Sequence, residues 1–400
     1  VSPSIALLLS IAGILILLRL KLAPGLAVFA GCLILSLLIL PVARTPALMW
    51  ETLSSLATWR LIGIIFCSLS LSKLMEAKGL LLRLSKTLES VGPKVALHVV
   101  PAIIGLVPMP GGALVSATAV KELTGRLGLS PAQATYVNFW FRHLWEASIP
   151  VYPAVVAASV VLAVPLGTVV STMLPSIPLL ALAGAVVSWR ILKSVTCERS
   201  QSLTAGQFLV ELVRAAWPVI VLVGLVMAGM EAFFAFVLVL VALCIQQRVS
   251  RAELHKAMRY ALTKRILFLL FAVMLYKAIV EDTGAAYALF DDLSVLGVPP
   301  AFMLVFLPML IGFATGLSVA FVGISFPLLL PFMGNGDGLS GVALFLAYVA
   351  GMVGYKASPL HLCLVLTVEY FQSRLADVYR LIVPPLIGIV VVALLVYVVA

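Results

Sequence analysis

Long apolar runs separated by short polar stretches dominate the hydropathy pattern of this chain. A run of about 17 to 25 apolar residues can cross a lipid bilayer as a helix. The pattern predicts spans at residues 4–20, 25–42, 58–76, 131–159, 167–189, 208–228, 231–247, 266–282, 341–368 and 381–400. Two further apolar stretches, 94–120 and 299–332, carry glycine-containing turns near their centres. We therefore predict an all-α polytopic membrane protein.

Composition agrees with this prediction. Hydrophobic residues make up 63% of the 400 residues and charged residues only 10%, whereas a soluble domain carries about 25% charged residues. Such a chain cannot cover a water-facing surface, so the lipid bilayer is its expected partner. The net charge of +10 is spread over loops and forms no basic cluster with interleaved aromatic residues, so nucleic acid is not expected. The five cysteines show no metal-like spacing, and neither a metal site nor a cofactor is predicted.

The basic residues lie in five loops between spans, which the positive-inside rule places on the cytoplasmic side of the cell membrane. That placement requires an even number of spans between successive basic loops. The number is even only if residues 94–120 and 299–332 do not cross the membrane. Basic residues flank the first stretch and acidic residues flank the second. We therefore predict two re-entrant helical hairpins that enter from opposite sides. The alternative is that each stretch is an ordinary span kinked by proline.

Short sequence matches recur in the same order at separations of 205 to 210 positions. Pro101–Gly105 matches Pro308–Gly312, and Glu146–Ser148 corresponds to Lys356–Ser358. Because the first half begins outside and the second inside, the two repeats are predicted to be inverted, as in elevator-type transporters. The predicted units are scaffold helices at 1–76, the transport part of the first repeat at 77–165, scaffold helices at 166–282, the transport part of the second repeat at 283–368 and a C-terminal helix at 369–400. Residues 77–93 and 283–298 are expected to form surface helices, and 248–265 a solvated connector.

Polar groups that are energetically unfavourable in a membrane lie inside the two predicted spans that follow the hairpins. The first span holds Asn138, Arg142, His143 and Glu146, and the spacing of Arg142 and Glu146 predicts that they share one face of a helix. A charge at this depth costs about 2.5–3.5 kcal/mol unless it is paired or hydrated, and proteins keep such charges chiefly for function. The alternative is a buried ion pair that only fixes helix packing.

Prolines are expected to interrupt the same two spans. Pro150 and Pro153 each lack a backbone donor and predict a break after Glu146, and the second span carries a Ser-Pro step after Lys356. Backbone groups freed by such breaks can bind ions or a charged substrate group. Lys356 occupies the position equivalent to Glu146, and with Arg142 it favours an anionic substrate. Alternatively, Lys356 extends to the membrane interface.

The turns of the two hairpins complete the candidate site. Amide groups exposed after a glycine-rich turn can bind an anion, and hydroxyl side chains follow both turns, although such hydroxyls often bond only to the preceding helical turn. The predicted substrate-binding residues are Pro110, Gly111, Gly112, Ser116, Asn138, Arg142, Thr315, Gly316, Ser318, Lys356 and Ser358. The predicted ion- or proton-coupling residues are His143, Glu146, Ser148 and His361, and no catalytic residue is predicted.

Two sequence runs carry a resemblance to a known family. Gly105–Ser116 (GLVPMPGGALVS) and Phe139–Glu146 (FWFRHLWE) resemble a family of prokaryotic integral membrane proteins in the ion transporter superfamily, related to gluconate, lactate, citrate and dicarboxylate permeases. The resemblance covers nearly the whole chain. It implies a scaffold domain, a transport domain that moves by an elevator mechanism, a homodimer, and coupling to Na⁺ or H⁺. The hairpin turns lack the Ser-Asn-Thr sequence of the Na⁺-coupled dicarboxylate branch, which leaves the substrate and the coupling ion open.

Three classes of function remain. The leading hypothesis is a secondary active transporter that moves a small organic anion across the cytoplasmic membrane together with Na⁺ or H⁺. The second is a translocase for a lipid-linked phosphate headgroup, in which the same cations hold the headgroup. The third is an intramembrane enzyme, for which the sequence offers no zinc-protease motif, nucleophile elbow or phosphate-binding loop. We therefore expect a transporter and not an enzyme.

Overall fold

The structure is a computed structural model that describes residues 1–80, 92–108, 112–193, 205–335 and 338–400. The helices of the first half are α1 Pro3–Arg19, α2 Pro24–Ile39, α3 Arg44–Ser54, α4 Leu56–Ala77, α5 Pro93–Ile104, α6 Gly112–Arg126, α7 Pro131–Arg142, α8 Pro153–Val161, α9 Leu166–Met173 and α10 Ser176–Leu192. The later helices are α11 Ala205–Met227, α12 Ala232–Gln246, α13 Arg251–Ala261, α14 Lys264–Thr283, α15 Ala285–Val295, α16 Pro300–Thr315, α17 Ser318–Met333, α18 Gly341–Ala357, α19 Leu362–Phe371 and α20 Leu375–Val399. Within the described residues, the strands are Gly334–Asn335 and Gly338–Leu339, which form a two-residue antiparallel ladder.

The helices confirm an α-helical membrane protein. In the part of the chain that the structure describes, four helical stretches are long and apolar enough to cross a bilayer by length and composition: Leu56–Ala77, Leu166–Leu192, Gly341–Phe371 and Leu375–Val399. Shorter apolar helices, among them α1, α2 and α12, fall on other predicted spans. Helix α15 occupies the surface helix predicted at 283–298, whereas most of the helix predicted at 77–93 lies outside the described residues.

The two stretches predicted as hairpins each form a pair of contacting helices. We refer to α5 with α6 as the first hairpin and to α16 with α17 as the second hairpin. The turn of the second hairpin is tight, because Gly316 adopts a φ of +65° and follows Thr315 directly. The hydroxyl of Thr315 accepts a hydrogen bond from the Leu317 amide at 3.3 Å. The prediction that each hairpin leaves the membrane on the side from which it entered, with the two hairpins entering from opposite sides, stays a prediction.

Both predicted broken spans are interrupted helices. Residues 143–152 separate α7 from α8, and we call them the first interruption; residues 358–361 separate α18 from α19 and form the second interruption. Each hairpin packs against halves of both interrupted helices: α5 contacts α7 and α6 contacts α19, while α16 contacts α18 and α17 contacts α8. This crosswise packing brings the two interruptions together.

The closest approach between the second hairpin and α18 depends on glycine. A Cβ atom at Gly354 would overlap the backbone carbonyl oxygen of Met309, and one at Gly312 would lie 2.5 Å from the carbonyl oxygen of Gly351. Small residues let two membrane helices approach until their backbones touch, and the resulting van der Waals contact stabilises the pair. The position of α18, and of the charged residue Lys356 near its end, therefore depends on these glycines.

The connector predicted at 248–265 contains the amphipathic helix α13, which packs against α4. Ser250 and Glu253 form a reciprocal capping box at its start. The Glu253 carboxylate also accepts two hydrogen bonds from the Lys78 ammonium, at 2.8 and 2.9 Å, which fasten α13 to the end of α4. The Lys78 ammonium and the Ser250 donors lower the pKa of Glu253 to about 2.

This ion pair predicts a pH dependence for the docking of α13. Because the folded pKa of Glu253 is depressed, its contribution to stability is present above the ordinary value of 4.5 and is lost as the pH falls toward about 2. Hydrogen exchange across residues 251–261 should show falling protection in that interval. Glu253→Gln should remove this pH dependence, and equal acid sensitivity in both proteins would contradict the assignment.

Candidate functional site

The first interruption begins earlier than the sequence predicts. Helix α7 starts at a capping box formed by Ser130 and Gln133, and it ends at Arg142. The expectation that Arg142 and Glu146 share one helical face is therefore wrong, because the helix stops before Glu146. Pro150 and Pro153 supply no backbone donors, so the chain continues as turns until α8 begins at residue 153.

The second interruption lies against the turn of the second hairpin. Helix α18 ends at Ala357, and α19 starts after His361. A Cβ atom on Gly316 would approach the Leu360 carbonyl carbon to 2.7 Å and the His361 amide nitrogen to 2.8 Å. The left-handed φ of Gly316 and this backbone contact both require glycine, so the turn and the second interruption are held together.

Charged and imidazole side chains from the two interruptions, and from the last turns of the helices before them, meet in the interior of the protein. We call Arg142, His143, Glu146, Lys356 and His361 the central cluster. Their exposed fractions are 4%, 2%, 9%, 2% and 6%, respectively, so the cluster is closed to solvent in this conformation. The sequence predicted all five as site residues, and the fold brings them together from positions more than 200 residues apart in the chain.

Polar contacts across the central cluster join the two interrupted helices. The Lys356 ammonium donates to the His143 carbonyl oxygen at 3.0 Å. The Tyr355 hydroxyl donates to the Glu146 carboxylate at 2.5 Å. Lys356 and Glu146 also interact electrostatically. A charged group buried this deeply is tolerated only with such partners, so the cluster is a tightly coupled unit.

The two histidines face each other across the interruptions. The Nε2 atoms of His143 and His361 are 3.3 Å apart. The Nδ1 atom of His143 lies 2.5 Å from the Phe139 carbonyl oxygen, and the Nδ1 atom of His361 lies 3.0 Å from the Gly316 carbonyl oxygen. The ring of Phe139 contacts both imidazoles, which gives the pair an apolar wall.

Asn138 lies one helical turn before Arg142 and is fully buried. Its amide nitrogen donates to the Ala113 carbonyl oxygen at 3.2 Å and approaches the Thr367 hydroxyl at 3.5 Å. Its amide oxygen accepts no hydrogen bond from the residues that the structure describes. Asn138 thus links α7 to the start of α6.

The hydroxyl candidates bond locally or to other elements. Ser116 donates to Ala113 in its own helix, and Thr315 donates to Ile311 at 2.8 Å. Ser148 donates to the Met173 carbonyl oxygen at 2.6 Å, which ties the first interruption to α9 and away from the central cluster. Ser358 accepts from the Leu360 amide within the second interruption, Ser318 begins α17 and Gly112 begins α6. Pro110 and Gly111 lie outside the described residues.

Two residues at the central cluster were not predicted from the sequence. Tyr355 bonds to Glu146, and the Cys363 sulfur lies 3.7 Å from an Arg142 guanidinium nitrogen. The only sequence signal for either was its place beside a predicted residue, since Tyr355 precedes Lys356 and Cys363 follows His361 by two positions. A tyrosine and a cysteine inside an apolar span otherwise look like packing residues.

A separate cavity of about 810 Å³ opens between α4, α8, α9 and α14. Its lining includes Arg60, Ser159 and Lys277, and contains no member of the central cluster. The Lys277 ammonium donates to the Val160 carbonyl oxygen at 3.4 Å, in the last turn of α8. The cavity therefore borders the helix that follows the first interruption.

These features define a polytopic α-helical membrane protein in which two interrupted helices meet at a buried charged cluster. The chain belongs to the family described as protein of unknown function (DUF401), whose model matches residues 1–400. Its fold is similar to that of a YdaH transporter from Alcanivorax borkumensis, whose crystal structure is described as having an unusual topology. The TM-score is 0.63 at 15% sequence identity, over 98% of this chain and 97% of that chain. At that identity the likeness shows a shared fold. Comparison with curated protein sequences found no match.

Proposed function

We propose that this protein is a secondary transporter that moves a small organic anion, such as a carboxylate, across the cytoplasmic membrane. The observation that carries the proposal is the central cluster, which places two basic side chains, Arg142 and Lys356, beside one carboxylic side chain, Glu146. One positive charge is left over if all three are ionised. An anion of single charge would neutralise it, and a buried cluster gains most from that neutralisation because the local dielectric constant is low.

Helix termini also contribute to the electrostatic potential at the central cluster. Arg142 lies in the last turn of α7, and Lys356 lies in the last turn of α18, so each cation faces the negative end of a helix dipole. The N-terminus of α19 follows His361 at the second interruption, and the first amides of a helix have no partner within the helix. Half-helix ends of this kind hold charged substrate groups in transporters with interrupted helices.

The crosswise packing supports an elevator-type alternating-access mechanism. The two hairpins and the four half-helices contact one another in both directions, so they can move as one body. Helices α1 and α14 both pack against α2, and α4 packs against α14; in this proposal they supply the static scaffold. We extend the proposal to inverted repeats, to membership of the ion transporter superfamily and to a homodimer, in which two scaffolds face each other.

Coupling to Na⁺ or H⁺ is part of the proposal. Glu146 and the two histidines are the groups in the central cluster that can exchange a proton. The carbonyl oxygens of the interruptions are the groups that can coordinate Na⁺. Comparing uptake driven by a Na⁺ gradient with uptake driven by a proton gradient distinguishes Na⁺ coupling from H⁺ coupling.

Uptake by proteoliposomes tests this function. Wild-type protein should accumulate at least one member of a carboxylate library under a Na⁺ or proton gradient, and Arg142→Ala should reduce uptake by about 10- to 100-fold, the effect of losing hydrogen bonds to a charged group. The exposed Arg265→Ala is the matched control and should transport like the wild type. Absence of uptake of any anion under either gradient would overturn the proposal, and movement of a lipid-linked phosphate in the same vesicles would replace it.

A further inference from the structure

Three potential metal ligands converge between the two interruptions. The free nitrogen or sulfur atoms of His143, His361 and Cys363 all lie within 4.8 Å of one another. From this geometry we infer that they form a binding site for a zinc-like divalent metal ion, with His143 and His361 Nε2 and the Cys363 Sγ as ligands. The inference stands apart from transport, because it concerns an ion held by the protein whatever the substrate is.

The hydrogen bonds of both imidazoles leave the correct atoms free. A carbonyl oxygen only accepts hydrogen bonds, so the Nδ1 atoms next to the Phe139 and Gly316 carbonyl oxygens must carry hydrogen. The Nε2 atoms of the neutral rings are then bare lone pairs that point at each other. Histidines that bind metals almost always donate their other ring N–H to a carbonyl or carboxylate, which fixes the ring orientation. Both histidines here show this arrangement.

The separation of the two nitrogens matches tetrahedral coordination. Two nitrogens at zinc-to-nitrogen distances of about 2.0–2.1 Å and a tetrahedral angle lie about 3.4 Å apart. The Nε2 atoms of His143 and His361 are 3.3 Å apart. Two neutral imidazoles with facing lone pairs repel each other at this distance, and a shared cation removes the repulsion.

The surrounding charges decide whether a cation can bind. Arg142 and Lys356 oppose it, while Glu146 favours it. The Arg142 guanidinium lies 3.7 Å from the Cys363 sulfur. Once Cys363 is bound as a thiolate, its charge and that of the Glu146 carboxylate offset the charges of Arg142 and Lys356. Binding converts the thiol to a bound thiolate and releases one proton to solvent.

Three protein ligands leave a fourth position of a tetrahedral ion open. Because Arg142 and Lys356 adjoin the site, that position favours an anionic oxygen from a carboxylate or a hydroxide. The ion would also tie the first interruption, through His143, to the second interruption, through His361, and to the start of α19, through Cys363. The metal would thereby hold together the two interruptions that the crosswise packing brings into contact.

Metal binding by the purified full-length protein tests the inference, with Zn²⁺ and Co²⁺ alone as probes. We expect one ion per chain after dialysis, and a thiolate-to-metal charge-transfer band in the Co²⁺ form. Cys363→Ser should remove the band and weaken Co²⁺ binding at least about 100-fold, beyond the 10- to 100-fold effect of losing a group that only hydrogen-bonds to a ligand. His361→Gln should also lose the retained ion. The buried Cys67→Ser, on α4, is the matched control and should keep both.

X-ray absorption uses the zinc-loaded wild type alone, so its result does not depend on whether the variants fold. Two nitrogen ligands and one sulfur ligand support the site. No retained ion, a Co²⁺ form without the band, or equal binding by Cys363→Ser would overturn it and would favour a single proton shared between the two Nε2 atoms. Metal content is measured without uptake, so a failed transport assay and a failed metal site are separate results.

Discussion

Gly354→Val is expected to prevent stable packing of α18 against the second hairpin. The added side chain would overlap the Met309 carbonyl oxygen and meet its carbonyl carbon at 2.8 Å. Neither atom can rotate away, because both belong to the backbone of a helix. Overpacking of a core usually destabilises by about 1–3 kcal/mol, and we expect at least the upper end here because two helix axes must separate.

Thermal unfolding in mild detergent and the yield of monodisperse protein measure this effect. The variant should unfold at a much lower temperature than the wild type, or it should fail to accumulate as monodisperse protein. Gly388→Val in α20 is the matched control, because a Cβ atom at Gly388 has no neighbour within 4 Å. If the two valine variants were equally stable, the backbone contact between α16 and α18 would be refuted.

Lys356→Met is expected to destabilise the protein strongly. The change removes the ammonium that donates to the His143 carbonyl and interacts with Glu146. Glu146 keeps its hydrogen bond from Tyr355, but its buried negative charge loses a nearby cation. Removing one partner of a buried ionic pair costs about 3–5 kcal/mol, mainly because the other charge remains in a low-dielectric environment.

A second substitution separates stability from function. The double variant Lys356→Met with Glu146→Gln should recover most of the lost stability, because glutamine is neutral and can still accept from Tyr355. It should nevertheless not transport, since the anion-binding charge is gone. Arg380→Met, which removes an exposed partner of Asp377, should change stability little. Equal stability of the single and double variants would show that Lys356 and Glu146 do not depend on each other.

The sequence was sufficient for the coarse architecture. Apolar runs predicted most helices to within a few residues, since a chain without enough polar surface has few alternatives to membrane helices. Gly316 and the Ser-Pro step after Lys356 marked a turn and an interruption, because glycine and proline constrain the backbone locally. The five residues of the central cluster were predicted because charge inside an apolar span is costly.

Contacts between distant segments could not be predicted. The first interruption starts at His143, before the prolines, and nothing in the local sequence shows why α7 stops there. At the same point, a Cβ atom on Gly105 would overlap the Arg142 carbonyl oxygen. The pairing of Tyr355 with Glu146, and of Cys363 with the histidines, depends on crosswise packing between halves more than 200 positions apart. Local patterns carry no information on such pairings.

The crosswise packing also has a consequence for biosynthesis. Helix α6 has no α19 to pack against until residues 362–371 have been made, and α8 has no α17 until residues 318–333 emerge. At about 5–20 residues per second, the wait for α19 is roughly ten to fifty seconds. During that interval Asn138 and Arg142 lack part of their final surroundings. The nascent first half therefore depends on the insertion machinery to shield these polar groups from lipid until the last quarter of the chain arrives.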